Sequence, residues 1–230
     1  MSELKEKLIV ALDVDSLEKA EGLVALLGER VKFYKIGSPL FTACGPKAVK
    51  DIAKKGVKIF LDLKYHDIPN TVYAASSAAT GIIAQDKKPA VFMMTVHIKG
   101  GKEMLRQALE GARSKAGELN ITRPFVIGVT RLTSEEADLE DVIDAARLAM
   151  DAGLDGVVCS AYEAKKIRRE FGEKFIIVTP GIRPKGYPKH EQKRVATARE
   201  ALEAGADYIV VGRPILEAKD PLKALDDLLD

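Results

Sequence analysis

Short apolar, β-branched runs alternate with longer amphipathic stretches along the chain. Eight runs stand out: LIVAL (8–12), VKFYKI (31–36), VKIFLDL (57–63), AVFMMTV (90–96), FVIGV (125–129), GVVCS (156–160), FIIVT (175–179) and YIVVG (208–212). Each has the length and residue types of a buried strand. Between them lie stretches with helical spacing, such as SLEKAEGLVALL and LEDVIDAARLAMDAG. The second ends on Gly153, and EALEAGAD ends similarly on Gly205, both suited to a helix C-terminus. Strand–helix–strand repetition predicts right-handed βαβ units and a parallel sheet. Eight units in 230 residues average about 29 residues each, close to a minimal βαβ step. Eight is the closing number of a (β/α)8 TIM barrel; a doubly wound open sheet is the competing architecture. Nothing linker-like divides the chain, so one domain over 1–230 is expected. The longest irregular stretch, GIRPKGYPKHEQKRV at about 181–195, has the length of a lid.

In such barrels chemistry sits where the strands end. The strand ends here carry Asp13; Lys35 and Gly37; Asp62, Lys64 and Asp67; His97; Thr130; Ser160; TPGIR; and GRP. Charge gathers on the first three strands, and Gly and Arg on the last two. Loops after strands 7 and 8 are where barrels commonly hold phosphate. Gly181 and Gly212 allow close backbone approach, Arg183 and Arg213 offer bidentate guanidinium forks, and the helix after strand 8 offers its N-terminal dipole. The plainer reading of GRP is a turn with a solvated arginine.

The stretch LDLKYHDIP (61–69) is unusually charged for the end of a buried strand. Strand residues i and i+2 point the same way, so Asp62 and Lys64 share a face at the barrel mouth. Lys35, on the neighbouring strand, comes beside them, and Asp67 follows on the loop. Such an alternating Lys–Asp–Lys–Asp set keeps its members ionised. One unlike pair at about 4 Å is worth on the order of 4 kcal/mol before desolvation, at an effective dielectric near 20. The alternative is an ion-pair cluster that merely closes the barrel end.

Composition narrows the function classes. There are 36 basic and 34 acidic residues, a net charge of +2, which argues against a general nucleic-acid binder. Two Asn and three Gln in a chain that is 30% charged lean towards a heat-tolerant source. Cys44 and Cys159 lack metal or redox spacing, and Cys159 in GVVCS reads as a buried inert thiol. The apolar run before Asp13 is too short for a signal peptide, and no run reaches membrane-spanning length. A cytoplasmic protein is expected. His66, His97 and His190 show no zinc spacing, and His66 is expected to be a surface or supporting residue. No dinucleotide fingerprint, Walker loop or pyridoxal lysine is present. The chemistry is left to charges alone or to a Mg²⁺ held by carboxylates.

These motifs together resemble a known family. VALDVD, YKIG, DLKYHDIPNTV, VTRLTS, TPGIRP and VVGRPI are similar to those of bacterial-type orotidine 5′-phosphate decarboxylases over essentially the whole chain. The resemblance implies decarboxylation of orotidylate to uridylate without metal or cofactor, in pyrimidine nucleotide biosynthesis. It implies that Asp13 and Lys35 bind the ribose hydroxyls and that Asp62 faces the substrate carboxylate. Lys64 would donate a proton to C6 of the pyrimidine. Asp67 and Thr71 would serve the neighbouring subunit's site in a homodimer, with Ile68 also at the substrate. Thr133 would contact the pyrimidine, while TSEE there also reads as a helix N-cap. Pro180, Arg183, Gln192, Gly212 and Arg213 would line the phosphate end, beneath the lid. The chain departs from the family pattern at Glu191 before Gln192, at IKGG after the strand-4 His, where Lys99 is unexplained, and in VATAREA, which lacks a proline.

Overall fold

The computed structural model describes residues 6–85, 88–132, 138–185, 187 and 195–229. Eight parallel strands close into a barrel: β1 (Leu8–Ala11), β2 (Phe33–Gly37), β3 (Lys58–Tyr65), β4 (Val91–His97), β5 (Phe125–Val129), β6 (Gly156–Val158), β7 (Ile176–Thr179) and β8 (Tyr208–Val211). β1 pairs with β2 on one side and with β8 on the other, so the sheet has no free edge. Helices join consecutive strands: α1 (Leu17–Leu27), α2 (Ser38–Cys44), α3 (Pro46–Ala53), α4 (Pro69–Thr80), α5 (Gly101–Leu119), α6 (Leu139–Ala152), α7 (Ala161–Phe171) and α8 (Ala198–Glu203). After β8 come α9 (Arg213–Leu216) and α10 (Pro221–Leu229). This is a (β/α)8 barrel, as the strand spacing predicts, and the open doubly wound sheet is excluded.

The period-two alternation of each strand divides the core into two. Leu8, Val10 and Leu12 face the helices, with Tyr34, Ile36, Ile59 and Leu61 from the next strands. Ile9, Ala11, Phe33, Phe60, Met93, Ile127, Val129, Val158, Val178 and Val210 fill the barrel. Phe33, Phe92 and Tyr208 plug its lower end, with ring centroids 5.0–6.0 Å apart. Phe92 reaches this plug because β4 carries an extra residue there: Ile59 pairs with Val91, and Phe60 with Met93. Each large apolar side chain so buried contributes about 1.5–3 kcal/mol relative to exposure. Above this packing the inward positions turn polar, and there the barrel opens.

Local signals behave as their chemistry requires. Gly153 ends α6 at φ 88°, a left-handed conformation that costs glycine nothing. Thr197 and Glu200 close a reciprocal capping box on α8. Two similar joints, AGLDGVV (152–158) and AGADYIVV (204–211), fix the lower rim. In each, an aspartate before the strand accepts from a neighbouring strand's N–H: Asp155 from Val126, and Asp207 from Ile177, both at 2.8 Å. Arg123 and Arg168 neutralise them. Two of the polar residues at strand ends have structural partners. The Thr130 hydroxyl donates to the Val158 carbonyl, and Ser160 caps α7 in a box with Glu163.

Candidate active site

A cavity of about 770 Å³ opens above the barrel packing, within the size range of small-molecule sites. Its floor is Ala11, Phe60, Val129, Val158, Val178 and Val210, the uppermost apolar inward residues. Its walls carry six cations (Lys19, Lys35, Lys64, Arg131, Arg183 and Arg213) against four carboxylates (Asp13, Asp15, Asp62 and Glu217). That excess favours an anionic ligand.

One side holds Lys35, Asp62 and Lys64 of the expected charge set, with Asp13 rather than Asp67 as the fourth member, because Asp67 lies exposed on the loop. Lys35 Nζ lies 2.8 Å from Asp13 Oδ1 and 3.6 Å from Asp62 Oδ2. Lys64 Nζ lies 2.9 Å from both Asp62 oxygens. β2 and β3 bring these groups together because Gly37 pairs with Asp62 across the sheet. Gly37 also leaves the space the ions use. A Cβ there would stand 2.9 Å from Lys35 Nζ and 3.2 Å from Asp13 Oδ1. Burial pushes the Asp62 carboxyl up, but Lys35, Lys64 and the Thr95 hydroxyl together outweigh it and hold the group below its ordinary value. Asp62 is therefore a carboxylate at neutral pH.

The strand is not regular here. From Leu61, paired with Met94, to Tyr65, paired with Val96, β3 advances four residues while β4 advances two. Lys64 lies inside this bulge at φ 51°, one of two described non-glycine residues in the left-handed region. Such a backbone costs a lysine roughly 1–2 kcal/mol, and bulges of this kind re-aim side chains beside active sites. Thr95 fills the gap in the ladder. Its hydroxyl accepts from Lys64 N–H at 2.9 Å and donates to Asp62 Oδ1 at 3.0 Å. Sequence reading passed over Thr95 because it sits within an apolar run. The signal was available: Met93, Thr95 and His97 alternate on one face.

The opposite end is cationic. Arg183, after β7, is 5% exposed, and its guanidinium donates to the Ile182 carbonyl. Its Nε is buried without a hydrogen-bond partner among the described residues. Burial and the nearby Arg213 both push its pKa down, the situation a bound dianion would relieve. The Arg183 guanidinium lies 5.8 Å from the Tyr187 ring, and the Tyr187 hydroxyl donates to Glu217. Gly181 has φ 81°, which only glycine adopts without strain. The stem of the following segment is held by Arg183 N–H to the Ala196 carbonyl and Ala196 N–H to the Gly181 carbonyl. One expectation is corrected: the helix after β8 is a four-residue turn, α9, capped by Gly212. So short an element has little dipole, and the arginines supply the charge.

Asp13, Lys35, Asp62, Lys64, Pro180, Arg183, Gly212 and Arg213 thus line one cavity. Asp67, Ile68 and Thr71 are exposed and do not line it; Asp67 Oδ1 accepts from Ile68 N–H. Thr133, His190, Glu191, Gln192 and most of the 181–195 segment lie outside the described residues. His66 is exposed, does not line the cavity, and stacks on His97 with centroids 5.3 Å apart. Arg131, two residues past the inward Val129, was missed although the alternation points to it. It lines the cavity and pairs with Asp141 of α6 at 3.2 Å.

Known proteins resemble this chain in sequence and in fold. Relatives named orotidine 5′-phosphate decarboxylase are 44% identical in Moorella thermoacetica (96% of this chain, 89% of that one) and 41% identical in Pelobacter propionicus (99% and 95%). The crystal structure of orotidine 5′-phosphate decarboxylase from Lactobacillus acidophilus superposes with a TM-score of 0.81 at 37% identity, covering 97% of each chain. An uncharacterised conserved protein from Geobacillus kaustophilus gives 0.81 at 34% identity, covering 96% and 98%. The family model for the orotidine 5′-phosphate decarboxylase / HUMPS family matches residues 6–228, nearly every residue that builds the barrel and its cavity. With the charge chain at one end of that cavity and the arginine pair at the other, the chain belongs to the orotidine 5′-phosphate decarboxylase / HUMPS family.

Proposed function

We propose that the chain is an orotidine 5′-phosphate decarboxylase, a carboxy-lyase that converts orotidylate to uridylate and CO₂ in pyrimidine nucleotide synthesis. The observation that carries this reading is the partly buried Asp62 carboxylate held between two ammonium groups, at the opposite end of the cavity from Arg183 and Arg213. A nucleoside monophosphate with a ring carboxylate has its charges at opposite ends too.

In this reading Arg183, Arg213, Gly212, Pro180 and Gln192 take the phosphate, and the 181–195 segment closes over it. Asp13 and Lys35 take the ribose hydroxyls, and Thr133 meets the pyrimidine. The substrate carboxylate lies against Asp62. The bond from C6 to the carboxyl carbon breaks, and its electron pair stays on C6. The Lys64 ammonium stabilises that charge as it forms and then gives C6 a proton. Phosphate binding energy is used at the reacting carbon. Lid closure excludes water and strengthens the charges inside.

The reading is cofactor-free because Lys35 already bridges Asp13 and Asp62, where it would repel a divalent ion. Asp67 and Thr71, both exposed, are assigned to the partner's site of a homodimer in the cytoplasm, and the exposed Ile68 to substrate contact.

The test is the ultraviolet absorbance of orotidylate with purified protein. Conversion to uridylate is expected without added metal and in EDTA, and near-complete loss in Lys64→Ala. Mixing Lys64→Ala with Asp67→Ala chains should recover part of the activity if sites are shared. A wild-type protein that leaves orotidylate unchanged overturns the assignment.

A further inference from the structure

Thr95 is fully buried in β4 and belongs to neither charged end of the cavity. Its hydroxyl nevertheless makes two hydrogen bonds to the reactive strand. It accepts from Lys64 N–H at 2.9 Å and donates to Asp62 Oδ1 at 3.0 Å. A hydroxyl has one proton to give, and here it is committed to Asp62. The Lys64 N–H would otherwise face the doubled bulge with its ladder partner gone, since β3 spans four residues against two of β4. An unpaired buried N–H is rare because it is costly. The same hydroxyl therefore fixes the left-handed backbone that aims the Lys64 ammonium and fixes one oxygen of the carboxylate that receives it.

We infer that Thr95 is a positioning residue of the decarboxylase site: it sets the mutual placement of Asp62 and Lys64 without touching substrate. The assignment rests on the proposed function for its consequence, but not for its geometry. β4 holds the bulge at a second point, two residues on. His97 stacks beneath His66, and a Cβ on Gly100 would come within 3.2 Å of His66 Cδ2. The bulge is thus held at its start by Thr95 and at its exit by the His pair.

The consequence reaches titration as well as placement. Asp62 is faced by Lys35 from β2 and Lys64 from β3, with Asp13, which follows β1, beyond Lys35, and by the Thr95 hydroxyl from β4. Removing that hydroxyl takes away a donor to the charged form, so the Asp62 pKa rises. Lys64 loses its backbone anchor at the same time. The rate of the chemical step should suffer while phosphate-driven binding does not.

The experiment compares wild type with Thr95→Val, which keeps the shape and removes the hydroxyl, and Thr95→Ser, which restores it. Thermal denaturation and uridylate binding serve as checks on fold. In Thr95→Val, kcat should fall roughly 10- to 100-fold, the range for a small misplacement of reacting groups. Uridylate affinity should stay within about twofold. The acid limb of the pH–rate profile should move to higher pH, and Thr95→Ser should recover most of the rate. An NMR titration of labelled aspartate carboxyls, with Asp62 assigned through Asp62→Asn, should show the same upward move without reference to turnover. A Thr95→Val protein with wild-type kcat and an unmoved Asp62 titration overturns the inference. So does one in which Thr95→Val and Thr95→Ser are equally slow with Asp62 unmoved. A wild type without decarboxylase activity overturns the proposed function instead, and the titration still decides the role of Thr95.

Discussion

The Lys64 ammonium lies 2.9 Å from both carboxylate oxygens of Asp62, two residues away on the same strand. A regular strand would separate their Cα atoms by about 6.6 Å and aim the side chains in parallel. The contact is made across a bulge, with Lys64 at φ 51°. Ion pair and backbone strain are thus two parts of one arrangement.

The strain predicts an unusual order of stability. Lys64→Gly should be more stable than Lys64→Ala by about 1 kcal/mol, because only glycine adopts this φ freely. Urea unfolding measures the difference, and both variants should be inactive. An alanine variant as stable as the glycine one would mean that the left-handed backbone is not populated in solution.

Asp62 predicts an acid dependence of stability. Its folded pKa lies below the ordinary value, so its contribution is fully present above the unfolded-state value, about pH 4. It is lost as pH falls through the lower folded value. Wild type should therefore lose stability on acidification more steeply than Asp62→Asn across that window. Denaturant midpoints at stepped pH give the comparison; parallel curves would show that Asp62 is not held in its charged form.

The paired arginines predict stabilisation by phosphate. Burial and the neighbouring Arg213 both disfavour the charge on Arg183, and a dianion beside them relieves this. Inorganic phosphate at 100 times its Kd should stabilise by about 2.7 kcal/mol. The thermal midpoint should rise in wild type and much less in Arg183→Ala or Arg213→Ala. An equal rise in all three would place the anion elsewhere.

Gly37 predicts a defect in activity with little cost in stability. A methyl group 2.9 Å from Lys35 Nζ must displace the far end of a flexible side chain, which the fold tolerates. The Lys35 bridge between Asp13 and Asp62 would not survive unchanged. Gly37→Ala should lower kcat/KM roughly tenfold and stability by less than about 1 kcal/mol. Loss of stability without loss of activity would contradict this account of Gly37.

Much of this was legible in the chain. The eight β-branched runs differ from the eight strands only by a residue or two at their ends. The clearest departure is β3, which runs on to Tyr65 through the charged stretch. Asp62 and Lys64 both face the cavity as expected, although through a bulge and not by regular i, i+2 geometry, and the arginines after β7 and β8 share that cavity. Thr95 and Arg131 escaped because one hides in an apolar run and the other follows a strand as an ordinary loop arginine would. The dipole expected after β8 failed because Glu217 ends α9 after one turn.

The sequence by itself determined the barrel, since strand length, alternation and capping residues are local properties with a fixed period. It also determined which strand ends carry charge. Only the tertiary structure decided that β3 slips two residues against β4, that Lys64 therefore turns left-handed, and that one hydroxyl from β4 holds both Lys64 and Asp62. The reason is physical. Register between strands far apart in sequence is set by how both pack against the closed barrel, and no local pattern records it.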